Sequence, residues 1–193
     1  AVCTLRFFAS PICCHPFEDD SLNYPVVTVS KGGSTILAVK GKSKDDIFRA
    51  FGLDPAAYEL ISSDLGKGHA RKRIRWRGVG GEPDAIFRHK RSGRIIVGEF
   101  KSRRWARRVR PREYFQIVLY IGIARAEFTS NNVLGVLAFK DKVLEIEHHP
   151  ELFSNLIQLR AEVLASMKKK KALNSRPLLS RCRFSLPFKL ERF

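Results

Sequence analysis

The chain is short of acid, of sulfur and of uninterrupted apolar sequence. Asp and Glu number 19 against 36 Lys and Arg, a formal net charge of +17. Such a balance disfavours basic partners. It favours phosphate backbones, which a basic surface attracts and which release counterions on binding. Nucleic acid is the first candidate and an anionic membrane surface the second. Charge breaks every long apolar run within a few residues, far short of the ~20 residues a spanning helix needs, so no membrane insertion is expected. Only four cysteines occur, Cys3, Cys13, Cys14 and Cys182. They contain no C-x-x-C pair, a Cys13–Cys14 disulfide would be strained, and reduced thiols in a cytoplasm are the simplest reading. No secretory signal pattern stands out in Ala1–Ser10. The expected compartment is the cytoplasm, at the nucleoid if the source is bacterial or phage, with the nucleus or a mitochondrion as alternatives.

What is present is enough apolar sequence, 44% of 193 residues, to bury one core. The run Gly81-Glu82-Pro83-Asp84-Ala85-Ile86-Phe87 is followed by Ile95-Ile96-Val97-Gly98-Glu99-Phe100-Lys101, then by Gln116 and Tyr120. Asp84 heads one short apolar run and Glu99 and Lys101 end another, so adjacent strands can bring two carboxylates and an ammonium to one point. Carboxylates are hard ligands suited to Mg²⁺ or Mn²⁺, and such an ion activates water and neutralises charge at a phosphodiester. Asp84 and Glu99 are the expected metal ligands. Strand alternation puts Glu99 and Lys101 on one face and turns Phe100 into the core. Lys101 then reaches the attacking water or the phosphate, and the Phe100 carbonyl is a further candidate ligand. In the competing reading, Pro83-Asp84 is a plain turn, Glu99 and Lys101 a solvated ion pair, and Gln116 and Tyr120 surface residues.

The expected order of elements begins with an accessory segment, residues 1–42. In it, Val26–Ser30 and Thr35–Val39 form a hairpin across Lys31-Gly32-Gly33-Ser34. Ser43 caps a helix to about Phe51, and a second helix starts at Pro55 and runs to about Asp64. Ala70–Trp76, Asp84–Arg88 and Ile95–Lys101 read as a three-stranded meander with turns at Gly78-Val79-Gly80-Gly81 and Ser92-Gly93. A helix over Pro111–Ala126 leads to a buried strand, Val133–Phe139, parallel to its predecessor. A helix over Pro150–Met167 closes the fold. Residues 43–167 thus form the expected core and 168–193 a basic tail.

With Pro83-Asp84 as one half and Glu99-Phe100-Lys101 as the other, the chain resembles the PD-(D/E)xK nuclease superfamily over roughly Ser43–Ile146. Gln116 and Tyr120, i and i+4 on one helix face, match the Gln-x-x-x-Tyr motif of its RecB-like branch. The resemblance implies an α/β fold with a restriction-endonuclease-like core, a central mixed sheet flanked by helices. Catalytic roles then fall to Asp84, Glu99, Lys101, Gln116 and Tyr120. It also implies a further metal-side residue: His69, by analogy with a histidine upstream of the Pro-Asp strand, or Glu59 on the preceding helix. Some RecB-like nucleases hold an iron–sulfur cluster with one cysteine before the core and three after; here three precede it and one follows, a departure from that pattern.

Between the Glu-x-Lys strand and the Gln116 helix runs Ser102-Arg103-Arg104-Trp105-Ala106-Arg107-Arg108-Val109-Arg110. Guanidinium forks match phosphate oxygens. Arg103, Arg104, Arg107, Arg108 and Arg110 are therefore the expected backbone clamp, with Trp105 either stacking on a base or plugging the core. Lys168–Lys171 open the basic tail, read as a DNA-contacting extension or a solvated terminus. The expectation is a Mg²⁺- or Mn²⁺-dependent deoxyribonuclease acting on DNA that is single-stranded or has free ends, in DNA processing or repair. A toxin or defence nuclease and a non-catalytic nucleic-acid-binding module are the alternatives.

Overall fold

In the computed structural model, which describes residues 3–4, 43–66 and 69–169, helix α1 (Lys44–Ala50) starts where the sequence says it should. Ser43 Oγ accepts the Asp46 N–H and the Asp46 carboxylate accepts the Ser43 N–H, a reciprocal capping box. Ile47, Phe48, Ala50 and Phe51 fall on one buried face. The expected accessory hairpin, Cys13, Cys14, Cys182 and the tail beyond Lys169 lie outside the described residues.

The next segment departs from expectation. Asp54 takes the Ala56 N–H on its side chain, and its carbonyl accepts the N–H groups of Ala57 and Tyr58. One helical turn therefore forms at Pro55, but no helix follows. Tyr58–Ser63 is instead strand β2, antiparallel to β5 (Ala85–His89), with a bulge between Leu60 and Ser62. Pairing along a whole strand overrides a local helix-start pattern that ends in Tyr, Leu and Ile, residues at home on a pleated surface.

The fold is α/β. Its five-stranded mixed sheet has the order β2-β5-β6-β7-β8, where β6 is Ile95–Lys101, β7 Val133–Phe139 and β8 Val143–Ile146. Helix α2 (Pro111–Glu127) carries the chain from β6 to the parallel β7, as expected of a strand reached through a helix. The sequence reading had missed β8, which returns antiparallel to β7 after a short turn.

Strand Ala70–Trp76 was expected beside β5, but that place belongs to β2. Only Ile74–Trp76 (β3) pairs as a strand, and its partner is β4 (Val79–Gly81), inside the segment expected as a turn. With β1 (Cys3–Thr4), parallel to β4, they make a second sheet ordered β1-β4-β3. The expected closing helix divides at Leu159 into α3 (Pro150–Gln158) and α4 (Arg160–Lys169).

The large sheet has an apolar layer on each face. On one, Ile47, Phe48 and Phe51 of α1 pack with Ala85, Phe87, Ile96, Val136 and Ala138. On the other, Ile117, Val118 and Ile121 of α2 pack with Ile86, Ile95, Val97, Leu137 and Phe139. Alternation along β6 thus assigns Ile96 to the α1 face and Ile95 and Val97 to the α2 face. Continued by two and four residues, the second series places Glu99 and Lys101 under α2. Among the described residues no helix is long and apolar enough to cross a membrane.

Candidate active site

At the end of β6 the α2-facing series changes from apolar to charged. Glu99 is only 4% exposed. Its Oε2 accepts from Lys101 Nζ at 2.9 Å and its Oε1 from Gln116 Nε2 at 3.1 Å. Gln116 Oε1 lies 3.4 Å from Lys101 Nζ, and Gln116 Nε2 lies 3.3 Å from the Tyr120 hydroxyl. The i, i+4 pair on α2 therefore points at the Glu-x-Lys strand.

Asp84, one residue before β5, closes the group from the neighbouring strand. Its Oδ2 accepts the Phe100 N–H at 2.7 Å. In an extended strand a residue's N–H and C=O leave on the same edge, so the Phe100 carbonyl also faces the Asp84 side while its ring packs toward α1. The Asp84 carbonyl is held by the Ser63 hydroxyl at 3.1 Å and the Asp64 N–H at 2.9 Å. The end of β2, misread from sequence as helix, is what steadies the Pro-Asp turn.

Tyr120 sits on bare backbone. A Cβ on Gly81 would stand 2.3 Å from Tyr120 Cε1, so only glycine admits the ring. The hydroxyl donates to the Glu82 carbonyl at 3.4 Å. Burial, with the Glu99 charge next, pushes this phenol up to about 12, which keeps it a proton donor at neutral pH.

The electrostatics show what the site is short of. Burial, then the neighbouring Asp84 charge, pushes the Glu99 carboxyl up to about 7, with Lys101 only partly opposing. Asp84 is raised as well, mainly by burial, against the Phe100 hydrogen bond and Lys101 that lower it. Two carboxylates thus share one ammonium in a dehydrated place. A further cation beside them would relieve both shifts.

Not every expected residue joins. Glu59 lies on β2, not on a helix; it is exposed and sits opposite Arg88, four residues up the strand from Ser63. That is roughly 13 Å from the Asp84 end, which removes Glu59 as a metal ligand. His69 precedes Ala70, whose carbonyl accepts the Ser63 N–H. Among the described residues no three His, Cys, Asp or Glu side chains converge as a metal-binding group. Asp64 was missed in sequence. Its charge acts on Asp84, though its own carboxylate pairs with Arg71 at 2.7 Å.

The arginine loop divides by role. Arg103 pairs at 2.7 Å with the buried Glu113, which also takes the Arg110 N–H at the start of α2, and its guanidinium lies over the Phe139 ring. Arg103 thus braces the core, which corrects its assignment to the clamp. The Trp105 ring packs tilted against Phe139, centroids 5.0 Å apart, while its backbone N–H donates to Asp141, as in the core-plug alternative. Arg104, Arg107 and Arg108 are exposed and make no ion pair with a described residue. Arg110 is half-buried at the helix start.

No protein-family model matches the sequence, and no curated protein matches it. Among solved structures it is similar to the protein of the crystal structure of SSO0001, at 19% identity and a TM-score of 0.31. The match covers 60% of this chain and 55% of that one, so the chain spans little more than half the length of this relative.

Proposed function

We propose that the protein is a PD-(D/E)xK nuclease of the RecB-like branch, built on a restriction-endonuclease-like core and hydrolysing phosphodiester bonds of DNA that is single-stranded or has free ends. The observation that carries the reading is the convergence of five residues where β5, β6 and α2 meet: Glu99, Lys101, Gln116 and Tyr120 in one hydrogen-bonded group, with Asp84 held on the Phe100 N–H between Glu99 and Lys101.

The donor set fits a hard divalent ion. Asp84 and Glu99 offer carboxylate oxygens, the Phe100 carbonyl faces the same edge, and a magnesium-type ion needs only one or two carboxylates because it keeps waters and takes substrate oxygens. Bound Mg²⁺ or Mn²⁺ supplies Lewis acidity at the phosphate and a more acidic water. The remaining work belongs to the chain. Lys101, held in line by Glu99 and Gln116, directs its ammonium to the negative charge that grows on the phosphoryl oxygens. Gln116 fixes the Glu99 carboxylate by donating to one oxygen, leaving the other to Lys101. Tyr120, seated on Gly81, sets the Gln116 amide from behind.

The test is incubation of the purified protein with circular and linear DNA, single-stranded and duplex, with and without Mg²⁺ or Mn²⁺. Metal-dependent cleavage is expected. Asp84→Ala and Glu99→Ala should each lower it at least roughly 10²-fold, the scale of losing one transition-state partner, while DNA affinity is retained. Cleavage at the wild-type rate by either variant would overturn the reading.

A further inference from the structure

The approach to β3 carries arginine at every second position. In Arg71-Lys72-Arg73-Ile74-Arg75-Trp76-Arg77, the even-numbered residues face the α2 side. Ile74 is fully buried there, Trp76 packs on Phe153, and Lys72 pairs with Glu127 and lies over the Phe128 ring. Arg73 and Arg75 therefore face outward. The register with β4 agrees, since Arg75 stands opposite Gly80 and Arg73 pairs with Glu82, one residue beyond the Ile74–Gly81 pair.

On β4, Gly80 lies buried against the Arg75 side chain. A Cβ there would stand 3.0 Å from Arg75 Cγ and 2.9 Å from the Ile74 carbonyl. At the hairpin turn Arg77 is exposed with its guanidinium 4.5 Å over the Trp76 ring, and Arg160 of α4 donates Nε to the Gly78 carbonyl at 3.3 Å. At the other end Arg71 pairs with Asp64, whose N–H holds the Asp84 carbonyl. Guanidinium groups thus line the hairpin from its turn to the Pro-Asp motif. Arg75, Arg77 and Arg160 make no ion pair with a described residue. From Gly80 to Asp84 is four residues of chain, at most ~14 Å.

We infer that the β3–β4 hairpin is the track along which the phosphate backbone of a nucleic-acid strand lies as it reaches Asp84 and Glu99, with the exposed Arg75 on the outward face and the exposed Arg77 at the turn as its chief contacts. The destination of the strand rests on the nuclease reading; the contact itself does not. Arg71 and Arg73 already have carboxylate partners, which leaves Arg75, Arg77 and Arg160 as the cations free of a described ion pair, and guanidinium forks match phosphate oxygens. Among the described residues this face presents Arg73, Arg75 and Glu82 and no large apolar side chain to enter a lipid layer, which favours nucleic acid over an anionic membrane.

The experiment titrates a fluorescein-labelled single-stranded oligonucleotide in EDTA, where metal-dependent cleavage cannot contribute, at several salt concentrations. Three variants are compared with wild type: Arg75→Gln/Arg77→Gln, the charge-retaining Arg75→Lys/Arg77→Lys, and Arg104→Gln/Arg107→Gln/Arg108→Gln. Neutralising the hairpin pair should weaken binding at least tenfold at low salt and flatten the slope of log affinity against log salt by about 1.4, or ~0.7 per lost contact. The lysine pair should keep the slope, which excludes local unfolding as the cause. An unchanged slope in the neutral pair, or weakened binding to phosphatidylserine vesicles with unchanged oligonucleotide binding, overturns the track. Cleavage of the same oligonucleotide by wild type in Mg²⁺ or Mn²⁺ is scored separately. Lost binding in the hairpin variant without any wild-type cleavage keeps the track and removes the nuclease; cleavage with hairpin binding unchanged does the reverse.

Discussion

Lys101 Nζ stands 2.9 Å from Glu99 Oε2, two residues back on the same strand face, with Glu99 buried and Lys101 half-buried. The pair does not balance itself, because Asp84 adds a second carboxylate and Glu99 is still pushed up to about 7. Lys101 is thus one cation between two acids, placed to serve whatever negative group enters.

Replacing Lys101 with Ala should therefore slow the chemical step rather than weaken substrate binding. A fall of about 10²-fold in single-turnover rate is expected, at the low end for a group acting in the transition state. Single-turnover cleavage and oligonucleotide affinity are measured side by side. An unchanged rate with poorer affinity reassigns Lys101 to backbone binding.

Gly81→Ala should displace Tyr120, since the new methyl falls 2.3 Å from the ring. The strain should cost about 1–3 kcal/mol of stability and lower the cleavage rate through the Gln116 contact. Adding Tyr120→Ala removes the clash, so the double variant should be no less stable than Tyr120→Ala alone. Additive losses in thermal unfolding would show that the two residues do not couple.

Arg103→Ala leaves the Glu113 carboxylate, 5% exposed, without its ion-pair partner. Breaking a buried pair on one side costs about 3 kcal/mol. Denaturant unfolding should show that loss, while the salt dependence of DNA binding stays as in wild type. A flattened salt dependence with unaltered stability returns Arg103 to the clamp.

His148 gives a pH dependence away from the site. Burial, then the charges of Arg125 and His149, brings its imidazole down to about 4, and its buried Nε2 has no hydrogen-bond partner among the described residues. The unfolded chain takes up this proton first as pH falls. The stability linked to His148 is therefore complete above pH 6.5 and is lost as pH drops toward 4. In His148→Phe, the fall in thermal midpoint between pH 7 and pH 4.5 should be smaller than in wild type. Equal falls in the two proteins count against the imidazole as a source of the acid sensitivity.

Local chemistry was sufficient for much of this molecule. The Ser43 cap with Asp46, the helix opened by Pro111 and the apolar runs of β5, β6 and β7 are short-range patterns, and each forms close to where it reads. The site residues Asp84, Glu99, Lys101, Gln116 and Tyr120 were legible for the same reason: the period of a strand or a helix fixes which side chains share a face before any partner is known. Partner choice was not legible. Tyr58–Ser63 looks like a helix continuation until β5 lies beside it, and Ala70–Trp76 looks like a core strand until β2 has taken that place. Long-range pairing also decided that Arg103 meets Glu113 and that Glu59 faces Arg88. It also set Tyr120 over Gly81. Spacing along the chain is an intrinsic property of these residues, whereas the neighbour that satisfies a strand edge, a buried charge or a ring face comes from distant sequence, and only the packed fold selects it.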